Sequence, residues 1–297
     1  MNITIVGLGL IGGSIALDLR KSDFATRLVG VDINVKHAEE AMSLNLVDTI
    51  LPLEESVSDA DLVIIAIPVD KITSILPMIL NIISSNTTVC DLGSTKKNIV
   101  AAVENHPKRS NYIAAHPMAG TENSGPSAAV EGLFSEKITI ICDHKKSAPQ
   151  HLALVEKLFQ SLGMSIAYMS SDEQDHTTAY ISHLPHVIAF ALANAIQNKE
   201  DRSIIYDLAS GGFRSTVRLA KSSPQMWGPI FLQNKKYIVE SLDAYINHLV
   251  EFKDGIQNDE EKMYSLMSNA NNIREILDGN STSLIRNERK IVKLYTK

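Results

Sequence analysis

Short apolar and β-branched runs recur through the first half of the chain, at Ile3 to Val6, Leu28 to Val31, Leu62 to Ile67, Thr87 to Cys90, Tyr112 to Ala115 and Ile138 to Cys142. They read as buried strands. Between them lie amphipathic stretches such as Lys71 to Ile83, whose apolar residues recur at helical spacing. Strands alternating with helices imply a parallel sheet covered on both faces.

After about Met169 the pattern changes to long helical periods. Thr177 to Ile196 is apolar nearly all round, which predicts a helix buried on every side. A second helix is predicted over Ile230 to Phe252, with Tyr237, Ile238, Leu242, Tyr245, Ile246, Leu249 and Val250 along one stripe, and a third over Glu260 to Leu277. The fold class is an α/β Rossmann domain followed by an all-α dimerisation domain. The boundaries fall at 1–168 and 169–280, with 281–297 a mobile tail. Burying the apolar helices of the second part calls for a partner chain, hence a homodimer.

Composition removes several classes of function. A net charge of −6 leaves no basic footprint for nucleic acid. No apolar run is read as long enough to span a bilayer, and the start Met1-Asn2-Ile3-Thr4 is not that of a secretory signal. Cys90 and Cys142 are expected as buried thiols of a cytoplasmic protein. The nine histidines do not fall at ligand spacings with carboxylates, so no metal is expected.

Gly7-Leu8-Gly9-Leu10-Ile11-Gly12 follows the first strand and opens a helix, the context in which glycines at this spacing cradle a dinucleotide. Gly7 permits the turn, Gly9 the approach of a pyrophosphate, and Gly12 close packing of helix on strand. Asp32 ends the second strand about 20 residues on, where an acid binds a ribose 2′-hydroxyl and repels the extra phosphate of NADP. The cofactor is therefore NAD. Pro68 closes the next strand end, where bound cofactor should pass.

Three polar segments go beyond the needs of a fold: Asp91-Leu92-Gly93-Ser94-Thr95-Lys96, His116-Pro117-Met118-Ala119-Gly120-Thr121-Glu122, and Ser182-His183-Leu184-Pro185-His186. With Gly211-Gly212-Phe213-Arg214-Ser215-Thr216-Val217-Arg218 and Met226-Trp227, the chain resembles the prephenate/arogenate dehydrogenase family up to about residue 275. The resemblance implies NAD-dependent oxidative decarboxylation of prephenate to 4-hydroxyphenylpyruvate, in tyrosine biosynthesis. Arogenate, giving tyrosine directly, is the alternative substrate.

The resemblance makes His116 the group that accepts the ring-hydroxyl proton, a task suited to an imidazole. It makes Ser94 its assistant beside the nicotinamide, although a serine there also reads as a helix N-cap before Lys96 and Lys97. Arg218 is the implied carboxylate fork. Arg214, four positions earlier, would share its face on a helix, and either arginine also reads as a surface ion-pair partner. His186 is favoured over His183 as the substrate-side histidine; either also suits a carbonyl, such as that of Ile181, freed by Pro185.

Glu122 is read as a gate pairing with an arginine, Gly211 as a close backbone approach and Trp227 as a pocket lid from its own or the neighbouring subunit. Their plain readings are a solvated acid, a helix-end turn and a core aromatic. Ser215 stands where some relatives carry Asp, which leaves any polar contact made there in doubt. Within 297 residues neither a fused mutase before the first domain nor a regulatory domain after the second is expected, so tyrosine would be expected to inhibit by competing at the active site. Two other readings compete. A β-hydroxyacid or imine-reducing dehydrogenase would need a lysine in the long helix, which has none before Lys199. A silent NAD-binding regulator would have no use for His116, Ser94 and Arg218 together.

Overall fold

The structure is a computed structural model and describes residues 1–200 and 202–274. The strands are β1 (Asn2–Val6), β2 (Arg27–Val31), β3 (Thr49–Ile50), β4 (Leu62–Ile65), β5 (Thr88–Asp91), β6 (Tyr112–Pro117), β7 (Ile138–Cys142) and β8 (Ser165–Met169). They form one sheet in the order β3-β2-β1-β4-β5-β6-β7-β8. Every neighbouring pair is parallel except β6 and β7. That antiparallel pair departs from the all-parallel sheet expected. It also lengthens β6: β5 stops pairing at Ala114, but His116 and Pro117 continue against Ile140 and Thr139. His116 therefore stands inside a strand and not in a loop after it. The edge strands β3 and β8 escaped the pattern, the one being two residues long and the other largely unburied.

The helices of the first part are α1 (Leu10–Lys21), α2 (Val35–Ser43), α3 (Leu53–Ser58), α4 (Val69–Ile82), α5 (Lys97–Ala102) and α6 (Pro149–Ser161). Alternation along β1 and β4 divides the core in two. Ile3, Ile5, Leu62 and Ile64 face the cluster that includes Ile15 and Leu19 of α1 and Val155 and Leu158 of α6. Val6, Val63 and Ile65 face the other, with Ile72, Leu76 and Ile79 of α4. Successive strand side chains point to opposite faces, so strands buried on both faces read as continuous apolar runs.

The second part comprises α7 (Ser171–Thr178), α8 (Leu184–Gln197), α9 (Arg202–Asp207), α10 (Gly211–Val217), α11 (Pro224–Gln233), α12 (Lys235–Asn258) and α13 (Glu260–Asn271). The helix expected from Thr177 begins earlier, at a capping box in which Ser170 and Glu173 satisfy each other's backbone. One wide turn, Ala179–His183, joins α7 to α8 just before Pro185. Such turns open where the regular ladder is interrupted. The composite helix Ser171–Gln197 spans 27 residues and is long and apolar enough to cross a membrane by length and composition, contrary to the reading that no run was. Nor is it buried on every side: Tyr180 and Ile181 are exposed within one chain. Its polar residues Gln174, Asp175 and His183 are buried instead, the first two because they dock on the Rossmann domain and the third because it bonds to Asn234.

The helix expected over Ile230 to Phe252 is broken at Asn234, whose buried amide turns to Asp175 and His183. Of its apolar stripe, Tyr237 and Ile238 are buried while Ile246, Leu249 and Val250 are exposed. Helix α13 ends at Asn271, and Leu277 and the tail 281–297 lie outside the described residues. Cys90 and Cys142 are buried free thiols.

Candidate active site

The site forms along the C-terminal edge of the sheet. Gly7 has φ +94°, and a Cβ there would stand 2.4 Å from the Ala66 carbonyl at the end of β4. A Cβ on Gly12 would lie 1.9 Å from the Gly7 carbonyl. Around Gly9 nothing comes within 4 Å, which leaves the start of α1 open. The loop is thus tight where helix meets strand and vacant where a pyrophosphate would lie. Asp32 Oδ2 accepts from Leu8 N at 3.0 Å and Oδ1 from Asn34 N at 2.9 Å, tying β2 to the loop. The side chain of Leu8 is buried, Leu10 and Ile11 are half-buried in the first turn of α1, and exposed Pro68 leads into α4. This geometry fits a dinucleotide.

Beyond it, Ser94 and His116 are joined by a residue the sequence did not mark. The amide nitrogen of Gln174 donates to Ser94 O at 3.0 Å and to His116 Nδ1 at 2.9 Å. Ser94 is not the cap of α5. That task falls to the Asp175 carboxylate, which accepts from Lys96 N at 2.7 Å and Lys97 N at 3.0 Å, leaving the serine hydroxyl without a protein partner among the described residues. Beneath them Asp91 takes the ammonium of buried Lys96, the Tyr112 hydroxyl at 2.6 Å and Gly93 N at 2.9 Å. A buried charge of this kind is tolerable only when paired and hydrogen-bonded.

Burial takes the His116 imidazole down to about 3, helped by the positive charge of Lys96 and by His183. Burial likewise takes His183 to about 4, and raises Asp175 to about 6 against the opposing pull of the two backbone N–H groups. Both histidines are therefore neutral at pH 7. His183 Nδ1 accepts from Asn234 Nδ2 at 3.0 Å, while His186 Nδ1 donates to Ser182 O at 2.9 Å. The carbonyl served is Ser182's and not Ile181's.

Trp227 is buried in its own chain, its ring stacked on His186 with centroids 3.5 Å apart and edge-on to His183. It joins the core that contains α4, as a core aromatic would. Arg218 follows the end of α10 and pairs with Glu122 at 3.3 Å, whereas Arg214 turns back to the Ala209 carbonyl. Between them the α-helix gives way to a 3-10 turn, Arg218–Lys221, and the two guanidiniums take different partners. Gly211 opens α10 with nothing within 4 Å of its Cβ position.

Residues 15–168 match the family model described as prephenate dehydrogenase, nucleotide-binding domain, and residues 170–269 match prephenate dehydrogenase, dimerization domain. The chain belongs to the prephenate dehydrogenase family. It is 33% identical to the prephenate dehydrogenase of Bacillus subtilis over 92% of this chain and 75% of that one. Among solved structures, the prephenate dehydrogenase of A. aeolicus in complex with hydroxyphenyl propionate and NAD+ superposes with TM-score 0.86 at 32% identity, covering 94% of this chain and 98% of that one. The arogenate dehydrogenase of Synechocystis superposes with TM-score 0.76 at 29% identity, covering 93% of this chain and all of the other (100%). From residue 15 on, the sheet and its helices are thus the family's nucleotide-binding domain, and the exposed apolar residues of the wide turn before α8 (Tyr180, Ile181) and of α12 belong to its dimerization domain.

Proposed function

We propose that this prephenate dehydrogenase family member is a cytoplasmic homodimer that carries out NAD-dependent oxidative decarboxylation of prephenate to 4-hydroxyphenylpyruvate. The observation that carries the reading is the union of Ser94 and His116 through Gln174 at the sheet edge that also bears the glycine loop. NAD supplies the hydride acceptor when bound, held by the loop Gly7 to Gly12 and by Asp32. His116 takes the ring-hydroxyl proton as hydride leaves the same carbon. The ring then loses carbon dioxide, becomes aromatic and recovers the proton on its oxygen. Burial first, and then the charge of Lys96 beside this centre, keep resting His116 unprotonated and oppose the charge it takes on with the proton.

Arg218 binds a substrate carboxylate, for which Glu122 is the stand-in when the site is empty. His186, backed by Trp227, lines the same side; burial comes first in holding its imidazole below the usual range, and Arg218 adds to this. Tyrosine has both a carboxylate and a phenol, and would compete for Arg218 and His116. The likeness to an arogenate dehydrogenase supports arogenate as the second substrate.

The test is NADH formation with prephenate and with arogenate, wild type beside His116→Asn. Turnover of prephenate, lost in the variant at unchanged KM, is the expected result. Turnover of arogenate alone would transfer the mechanism to that substrate, and turnover of neither would overturn the proposal.

A further inference from the structure

The Gln174 amide has a consequence for the proton step. A backbone carbonyl only accepts, so the NH2 end of the amide must face Ser94 O. The same NH2 end then faces His116 Nδ1, which must accept. In a neutral imidazole the other nitrogen carries the proton. Resting His116 therefore presents Nε2–H, and neither ring nitrogen offers a free lone pair to a substrate hydroxyl. Across the amide, Gln174 Oε1 is buried and has no hydrogen-bond partner. A buried acceptor left unsatisfied costs about 1–3 kcal/mol.

We propose that the Gln174 carboxamide sets the tautomer of His116 and must turn over for the proton step, bringing Oε1 to accept from Nδ1–H. The inference rests on His116 being the proton acceptor. Turning exchanges the ring proton from Nε2 to Nδ1 through solvent, with no net change. The freed Nε2 lone pair then takes the hydroxyl proton as hydride departs, and returns it to the ring oxygen after carbon dioxide has gone. The orphaned Oε1 gains a charge-assisted partner in the imidazolium, and Ser94 O gives up its donor. Gln174 is in this sense a positioning residue. Lys96 and His183 also face His116 and oppose its charging, so the amide is the element near it that can reverse sign.

Two variants and two readouts test this. Gln174→Glu offers only acceptors to Nδ1, and Gln174→Met offers neither donor nor acceptor. Nitrogen-15 NMR of histidine-labelled protein at pH 7 should show His116 as the Nε2–H form in wild type and as Nδ1–H or cationic in Gln174→Glu. The acid limb of kcat against pH should move up by about one to three units in Gln174→Glu and by less in Gln174→Met, with KM little changed. An Nδ1–H tautomer in resting wild type, or a limb unmoved in both variants, overturns the proposal. His116→Asn run in parallel separates the two readings: if it keeps wild-type turnover, the proton role of His116 fails, and if it is inactive while the Gln174 variants leave the limb unmoved, the tautomer control alone fails.

Discussion

Arg218 and Glu122, 96 positions apart, meet with Nη1 and Oε2 3.3 Å from each other. The pair is open to solvent, at 54% and 30% side-chain exposure, so a stronger ligand displaces it readily. Arg218→Ala should raise the KM for prephenate by about tenfold to hundredfold with a smaller effect on kcat, because a carboxylate fork is lost. Glu122→Gln should lower KM by roughly twofold to fivefold, since the competing acid is gone. Steady-state kinetics of the two variants decides this, and a raised KM in Glu122→Gln would mean that Glu122 supports binding.

On the proposed mechanism, replacing His116 removes the proton acceptor and leaves the binding contacts. We expect His116→Asn to lower kcat by roughly 100-fold to 10,000-fold, the span of general base catalysis, with NAD affinity measured by fluorescence titration unchanged. A loss of NAD affinity would point to a structural fault.

Gly12→Ala should abolish NAD binding while the far domain stays folded. Its Cβ would have to enter 1.9 Å from the Gly7 carbonyl, a backbone atom that can yield only by reshaping the loop. Calorimetric titration with NAD checks this, and wild-type affinity would show that the loop relaxes.

The two buried histidines make stability fall in acid. Above about pH 6.5 both are neutral in the folded and unfolded chain, and their contribution is complete. As pH drops, the unfolded chain takes up protons that the folded one refuses until about pH 4 for His183 and about 3 for His116. The loss for His183 alone is on the order of 3 kcal/mol across that window. Urea midpoints between pH 7 and 4.5 should decline, and decline less steeply in His183→Gln. Equal slopes would refute the assignment.

Leu249 and Val250 are 49% and 60% exposed on α12. Leu249→Glu should shift the chain from dimer toward monomer in light scattering at low micromolar concentration. An unchanged mass would place the interface on another face.

What could be read from sequence was local. The glycine loop, six of the eight strands and Asp32 depend on neighbours within a few tens of residues, and glycine spacing carries its own steric reason. The family resemblance added His116 and Arg218 by motif. Gln174 could not be found that way: it meets His116 across 58 positions, and a lone glutamine early in a helix looks solvated. The adjoining pair Gln174-Asp175, polar where the helix turns inward, was the available signal. The four-residue interval from Arg214 to Arg218 did not show their separate partners, because α10 ends at Val217 and the chain tightens into a 3-10 turn from Arg218. Ser94 was offered as a cap because serine suits that place. Asp175 took the role from another domain, which no local rule foresees.

Three consecutive residues at the start of α7 thus have separate tasks. Glu173 closes the helix's own first turn, Gln174 holds His116, and Asp175 caps α5. The joint between the domains is therefore measured out in single residues: it can accept changes of side chain, but one residue inserted or deleted before Glu173 would misalign all three. Any separation of the helical half from the sheet must also draw Gln174 away from His116. Parting the two domains and parting Gln174 from His116 are one motion, so whatever hinges the halves also reaches the candidate proton acceptor.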